Sequence, residues 1–277
     1  MKKILTLLFC TIVSMSTLTA AIQLPRIFSD NMVLQRNSPL KIWGWTERGA
    51  TVTIVFNGQT LKAKANTKGL WSATFKPMTH GGPFEMSLSD RTGSTMLTNI
   101  LIGDVWLGSG QSNMEWVVKN SNNATAEIAE GNYEKLRLFT VEKSMRYSPM
   151  EDVAGASWQV CSSQTVGNFS AVAYFFGRKL LKELDVPIGL INSSWGGTII
   201  ETWISWDVMS MDEEYKGLNP KEYEQKAAET QKRVEQYQLA LKNDKGISER
   251  WYDISYSGEG WNKMMLPKEW NGTALGR

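Results

Sequence analysis

The chain has 277 residues, of which 42% are hydrophobic and 21% charged. This length and balance suit about two folded domains and exclude a largely disordered or fibrous protein. The 30 Lys and Arg residues against 28 Asp and Glu give a net charge of +2, so no large basic field attracts nucleic acid, which is not expected as a partner. Twelve Trp and a single His stand out in the composition.

Residues 1–21 have the layout of a secretory signal peptide. Two lysines precede an apolar run from Ile4 to Val13, and small residues end the segment at Ala20 and Ala21. The apolar run is too short to span a membrane. The sequence therefore predicts a secreted or periplasmic protein with no membrane attachment once the signal is removed.

Cysteine and histidine usage argues against disulfides and against a zinc-type site. Cys10 lies in the signal segment, which leaves Cys161 without an intrachain partner. A zinc-type site would have to be built almost entirely from carboxylates, which zinc disfavours. No metal and no cofactor are expected. His80 lies in a glycine-containing turn, where a polar surface residue is favoured over a catalytic base.

Short alternating segments recur over residues 22–100. The predicted strands are Leu40–Trp45, Thr51–Phe56, Gln59–Ala65, Leu70–Phe75 and Phe84–Leu88. Asn57 and Gly58 stand between two of these strands, and both residue types tolerate the positive φ of a two-residue hairpin. The segment is therefore predicted to form a small antiparallel β-sandwich.

The apolar segments lengthen after residue 100. Leu101–Leu107 and Val186–Asn192 predict buried strands, and Phe169–Leu184 has the apolar spacing of a helix. Strand, helix and strand in this order predict a parallel α/β sheet. Ligands of such sheets bind in a crevice beyond the carboxyl ends of the parallel strands. The glycine-rich turns at 108–112 and 193–198 are therefore predicted to lie at this crevice.

Residues 220–243 carry an apolar stripe, from Tyr223 to Leu241, on an otherwise charged helix. Two interpretations stay open, an amphipathic helix packed on the body of the protein and a helix that binds a partner. No pattern indicates the oligomeric state.

Ser112 has the position of a nucleophile. A serine at a tight strand-to-helix turn presents its hydroxyl at the sheet edge, and glycines before it leave room for a substrate. The Ser112 N–H can face a developing oxyanion, and a second N–H can come from Gly197 or Gly196 in the next turn. The alternative is a pair of ordinary glycine-containing turns without a catalytic role.

Six segments of the chain share their residues with the motifs of a known protein family. They are Phe28–Gln35, Gly81–Phe84, Gly103–Trp116, Phe169–Phe176, Val186–Ile191 and Ser193–Trp203. Together they resemble the sialate O-acetylesterases of the SGNH (GDSL-like) hydrolase superfamily. The resemblance implies a β-sandwich domain over 22–100, followed over 101–245 by the first part of an SGNH-type parallel α/β/α hydrolase domain.

The resemblance also implies a reaction. Ser112 would attack the ester carbonyl to form an acetyl-enzyme, and the N–H groups of Ser112 and Gly197, with Gly196 as the alternative, would form part of the oxyanion hole. An O-acetylated sugar is the implied substrate, with sialic acid as the named case.

Four residues are candidates for substrate contact: Gln111, Asn113, Trp195 and Glu201. Glu201 and Trp203 either line the crevice or anchor its loop. For Asn113 the favoured interpretation is that it shapes the nucleophile turn through local backbone hydrogen bonds rather than touching the substrate.

Members of the family have a third block of the form Gln-Gly-Glu-x-Asn and a late Asp-x-x-His pair that supplies the base. Neither motif is found in this sequence. Residues 246–277 resemble the start of an inserted β-domain. We therefore expect an incomplete form of the esterase, whose own activity stays open. The alternative is an exported carbohydrate-binding protein without catalysis.

Overall fold

The computed structural model describes residues 22–146, 148–153, 155, 157–261 and 265, so the predicted signal segment 1–21 lies outside the described residues. The chain divides into two compact units, the first ending at Met209 and the second beginning at Ser210.

The described elements are ten strands and six α-helices, with three short 3₁₀ turns between them. The strands are β1 (Val33–Gln35), β2 (Leu40–Trp45), β3 (Thr51–Phe56), β4 (Gln59–Lys64), β5 (Leu70–Phe75), β6 (Gly81–Asp90), β7 (Gly93–Gly110), β8 (Tyr133–Thr140), β9 (Gln159–Cys161) and β10 (Ile188–Ser194). The helices are α1 (Ser112–Glu115), α2 (Ala124–Ala129), α3 (Ala171–Leu184), α4 (Trp206–Met209), α5 (Pro220–Lys242) and α6 (Lys245–Ser248).

The antiparallel part of the first unit confirms the predicted strands. β4, β3, β6 and the first part of β7 form one sheet in that order, while β2 and β5 form a separate two-stranded sheet. Asn57 and Gly58 both have positive φ and make the two-residue turn in which Phe56 pairs with Gln59, as the sequence predicted. Apolar side chains from both sheets share one buried cluster, which is the core of the sandwich.

The long strand β7 belongs to both halves of the first unit. Its residues 93–102 pair with β6 in antiparallel fashion, 101–103 pair with β1 and 104–110 pair with β10, both in parallel. The predicted boundary at residue 100 thus lies inside a continuous strand. Whether 22–100 and 101–245 fold as separate domains stays a prediction.

The parallel half confirms the predicted α/β class. β10 lies between β7 and β8 and runs parallel to both, and β9 pairs with β8 in antiparallel fashion. α3 begins after Ser170, whose Oγ accepts a hydrogen bond from the Ala173 N–H, and ends before Asp185, which has a φ of 48°. Its buried face closes a second apolar cluster with β8 and β10.

Arg137 on β8 is buried, with 3% of its surface exposed. Its guanidinium donates to the side-chain oxygens of Asn31 at 3.2 Å and Asn99 at 3.1 Å, and to the Glu134 carbonyl at 3.0 Å. Burial lowers the pKa of Arg137 from its ordinary value, against the opposing charge of Glu134. The Arg137 guanidinium thus joins β8 to Asn31, which precedes β1, and to Asn99, which lies within β7.

The second unit contains α5 and α6, and α5 confirms the helix predicted at 220–243. Its Val234, Tyr237 and Leu241 side chains are exposed, and the choice between the two interpretations of this helix stays open. The described residues from 249 to 261 form turns and no strand. The remainder of the predicted β-domain, apart from Met265, lies outside the described residues.

Candidate active site

Three parallel strands end at one edge of the sheet. Gly110 at the end of β7 is in register with Ser194 at the end of β10, and Asn192 is in register with Thr140 at the end of β8. The Trp195 N–H donates to the Gly110 carbonyl at 3.0 Å. The two glycine-rich turns therefore meet at the edge where the sequence placed them.

Ser112 is the first residue of α1, and its side chain is exposed. Gly110, two residues earlier, has a φ of 144°, which side-chain-bearing residues rarely adopt. The turn closes through the Glu115 N–H, which donates to the Gln111 carbonyl at 2.9 Å. The hydroxyl of Ser112 is thus presented to solvent at the strand end, and within the described part of the chain it makes no hydrogen bond.

The glycine turn after β10 lies against this serine. A Cβ added to Gly196 would stand 3.5 Å from the Ser112 Cα and 3.6 Å from its Cβ. The Gly196 N–H donates to Oε2 of Glu115. Gly197 has a φ of 80°, and no described residue accepts a hydrogen bond from its N–H. Of the two glycines that the sequence left open, Gly197 is therefore the one with an available donor.

Glu115 and Lys143 form a connection that the sequence did not reveal. Glu115 accepts hydrogen bonds from Lys143 and from the Gly196 N–H, and these two bonds, in that order, lower the pKa of Glu115 from its ordinary value. The Lys143 ammonium lies 5.7 Å from the centre of the Trp195 ring. One carboxylate thus joins the loops that follow β7, β8 and β10.

The other residues predicted to contact the substrate follow the same strand ends and differ in how exposed their side chains are. Gln111 and Asn113 are exposed on either side of Ser112. Within the described residues the Asn113 side chain makes no hydrogen bond, so the prediction that it shapes the nucleophile turn is wrong. Glu201 is partly buried in the 3₁₀ turn Ile200–Trp203. The Trp203 indole donates to Thr198 Oγ1 at 2.8 Å, which ties that turn to the glycine turn. The roles of these side chains in substrate contact stay predictions.

Among the described residues, no side chain hydrogen-bonds the Ser112 hydroxyl, so no base is in place beside it. His80 is exposed on the loop before β6, in the antiparallel half of the unit. Cys161 is buried and its thiol donates to the Gly131 carbonyl at 3.3 Å, while burial raises the pKa of that thiol to about 12. Cys161 is therefore a structural residue rather than a nucleophile.

The described ranges offer neither a cluster of metal ligands nor a membrane-spanning helix. They contain no group of three or more His, Cys, Asp and Glu side chains that could hold a metal ion. None of their helices has both the length and the apolar surface required to cross a bilayer.

A serine and a glycine turn at adjoining strand ends of a mixed α/β sheet can serve an esterase, with a hydroxyl as nucleophile and backbone N–H groups as oxyanion donors. The family described as "carbohydrate esterase, sialic acid-specific acetylesterase" matches residues 102–242, which include β8, β10 and both turns. The chain belongs to this esterase family, which confirms the resemblance seen in the sequence.

Individual relatives agree with the family. The sialate O-acetylesterases of Rattus norvegicus and Homo sapiens are 40% and 37% identical over 198 and 199 residues, each covering 64% of this chain. The crystal structure of a carbohydrate acetylesterase from Xanthomonas citri superposes with a TM-score of 0.67 at 34% identity and covers 69% of this chain and 44% of that one. The aligned part is only 36% of the rat protein and 38% of the human one.

Proposed function

We propose that this chain carries the nucleophile half of a carbohydrate esterase that removes O-acetyl groups from sialic acid or a related sugar. The observation that carries the proposal is the exposed hydroxyl of Ser112 beside the Gly196–Gly197 turn, at the carboxyl edge of the sheet. Members of the family are esterases, and the rat and human relatives are named for sialate O-acetyl esters.

In the proposed reaction Ser112 Oγ attacks the acetyl carbonyl, and the sugar hydroxyl leaves. Water then hydrolyses the acetyl-serine, releasing acetate. The N–H groups of Ser112 and Gly197 stabilise the oxyanion that forms in each step. Gly196 is the weaker candidate for this role, because its N–H is already engaged by Glu115.

The base is the part of the reaction that these residues do not supply. A serine hydroxyl is a poor nucleophile unless an adjacent group takes its proton. Glu115 ends the short helix α1 that Ser112 begins, but its lowered pKa makes it a weak proton acceptor. We assign the base to the Asp-x-x-His pair of the family pattern, which this sequence lacks, and expect only residual turnover from the chain alone.

Substrate contacts and localisation follow the same proposal. Gln111, Asn113, Trp195 and Glu201 surround the crevice turns and are proposed to contact the sugar, with Glu201 alternatively anchoring its loop. The residue 1–21 segment directs the protein to the periplasm or the exterior. The chain needs no metal or cofactor for acyl transfer through serine.

Hydrolysis of an aryl acetate by the purified protein tests the proposal. We expect slow turnover and an acetyl group that peptide mapping locates on Ser112. Ser112→Ala should abolish both, while the matched control Ser109→Ala, an exposed serine three residues earlier, should keep both. Equal turnover in wild type and Ser112→Ala would remove Ser112 from the mechanism. Sugar binding without any acetylation would favour the non-catalytic carbohydrate-binding alternative.

A further inference from the structure

The outer face of the β2–β5 ribbon carries two indoles. Along β2, Leu40 and Ile42 point into the core, whereas Trp43 and Trp45 alternate to the opposite face and are only partly buried. Because side chains two residues apart on a strand share a face, the two Trp side chains start roughly 7 Å apart. Ser72 and Leu70 on β5 lie directly opposite them and share that face.

The Trp43 indole and the Trp45 backbone are held by their surroundings. The Trp43 ring meets Phe28 edge to face, with ring centres 4.5 Å apart. Trp45 exchanges two backbone hydrogen bonds of 2.8 Å with Gln23, on the side of β2 away from β5. The Trp43 side chain and the Trp45 main chain therefore have little conformational freedom left for a ligand to remove on binding.

A cavity of about 310 Å³ opens over this face. It is lined by Lys41, Trp43, Trp45, Leu70, Ser72 and Glu151. A neighbouring cavity of about 230 Å³ shares Trp43 and Glu151 and is otherwise mostly apolar. Ligand sites in proteins combine such aromatic walls with a few polar groups, and the larger cavity falls at the lower end of their usual volumes.

The lining has the chemistry of a sugar-binding surface. The C–H face of a pyranose ring is apolar and slightly positive, so it packs on the negative face of an indole. The ring's hydroxyl groups need both donors and acceptors, which Lys41, Ser72 and Glu151 provide. A nucleotide or other polyanion fits less well, since Lys41 is the one cation of this lining and Glu151 opposes it.

We propose that Trp43 and Trp45 form a second carbohydrate-binding site, separate from the Ser112 crevice, which stacks a pyranose ring and holds the sugar without reacting with it. The site goes beyond the proposed esterase function and does not depend on it, because binding here uses no residue of the crevice.

Titration of the purified chain with sialic acid, galactose and a galactose-based oligosaccharide tests this site, with heat of binding and Trp fluorescence as readouts. We expect saturable binding at millimolar concentrations of at least one sugar. Trp43→Ala and Trp45→Ala should each weaken it by about tenfold or more. Trp45→Phe keeps an aromatic face and should retain most of the affinity.

Control variants distinguish binding at this site from binding in the crevice, and a loss of affinity from a loss of folding. Trp106→Ala removes an exposed Trp of β7 that also has an edge-to-face partner, and it should leave affinity unchanged. Ser112→Ala should also bind like wild type, whatever happens to turnover. Ser72→Ala and Lys41→Ala remove only exposed polar groups and should weaken binding without changing the melting temperature. The proposal is overturned if no tested sugar binds, or if Trp43→Ala and Trp45→Ala both bind as wild type.

Discussion

Replacing Arg137 by Met should destabilise the first unit by about 3 kcal/mol, because two hydrogen bonds from a charged donor to the amide oxygens of Asn31 and Asn99 are lost at about 1.5 kcal/mol each. Asn31 Oδ1 keeps a hydrogen bond of 2.7 Å from Asn99, but Asn99 Oδ1 loses its partner. The Glu134 carbonyl belongs to an exposed residue, and water can replace the arginine there. Relief of guanidinium desolvation offsets part of the loss.

Urea unfolding of the full chain followed by circular dichroism measures this effect. Arg137→Lys keeps the charge but not the planar fork, so its loss should be close to that of Arg137→Met. A double-mutant cycle with Asn99→Gly, which tolerates the φ of 56° at that position, should show a coupling of about 1 kcal/mol or more. Arg91→Met is the matched control, because Arg91 pairs with Glu47 at an exposed site and should change stability by less than about 0.5 kcal/mol. An Arg137→Met protein as stable as wild type would refute the reasoning.

Two further predictions concern Glu115 in the crevice and Gly177 in helix α3. Because the pKa of Glu115 is lowered, its paired carboxylate should stabilise the fold above the ordinary glutamate pKa and lose that effect as pH falls through the lowered value. Unfolding of wild type and Glu115→Gln over a pH series should therefore show a difference in stability of under about 1 kcal/mol that vanishes in acid. A difference independent of pH would contradict this. Gly177→Ala places a Cβ 2.6 Å from Leu190 Cδ1, so thermal melting should show a loss of stability of about 1–3 kcal/mol despite the better helix propensity of alanine. The control Gly217→Ala has open space around the added Cβ and should be near neutral. Equal melting of the two variants would contradict the close packing of α3.

The sandwich strands were predictable because their information is local. β2, β3 and β5 have the predicted bounds, since burial alternates residue by residue along each of them. β8 escaped prediction because Glu, Lys and Arg interrupt its apolar pattern, and only the fold shows that Arg137 is buried with amide partners. The position of β10 between β7 and β8 is likewise a long-range property that no local pattern encodes.

The candidate site divides in the same way. Ser112 and the Gly196–Gly197 turn were predicted because each is a short motif at a strand end, and the parallel register then brings the two motifs together. Lys143 was missed because it lies in a polar loop with no motif of its own. The signal that could have found it is the end of a third parallel strand, which requires β8 to be recognised first.

The Glu115 carboxylate poses an electrostatic problem for the proposed reaction, and its pairing resolves it. A negative charge close to the oxyanion donors would oppose the charge that develops on the acetyl oxygen. Lys143 and the Gly196 N–H neutralise that carboxylate from two sides, so the Gly197 N–H remains free to face the oxyanion without a nearby unpaired anion. The same pairing keeps Glu115 ionised and unsuited to accept the serine proton. A residue that looks like a base by its position is therefore better explained as the connection that holds three crevice loops in place.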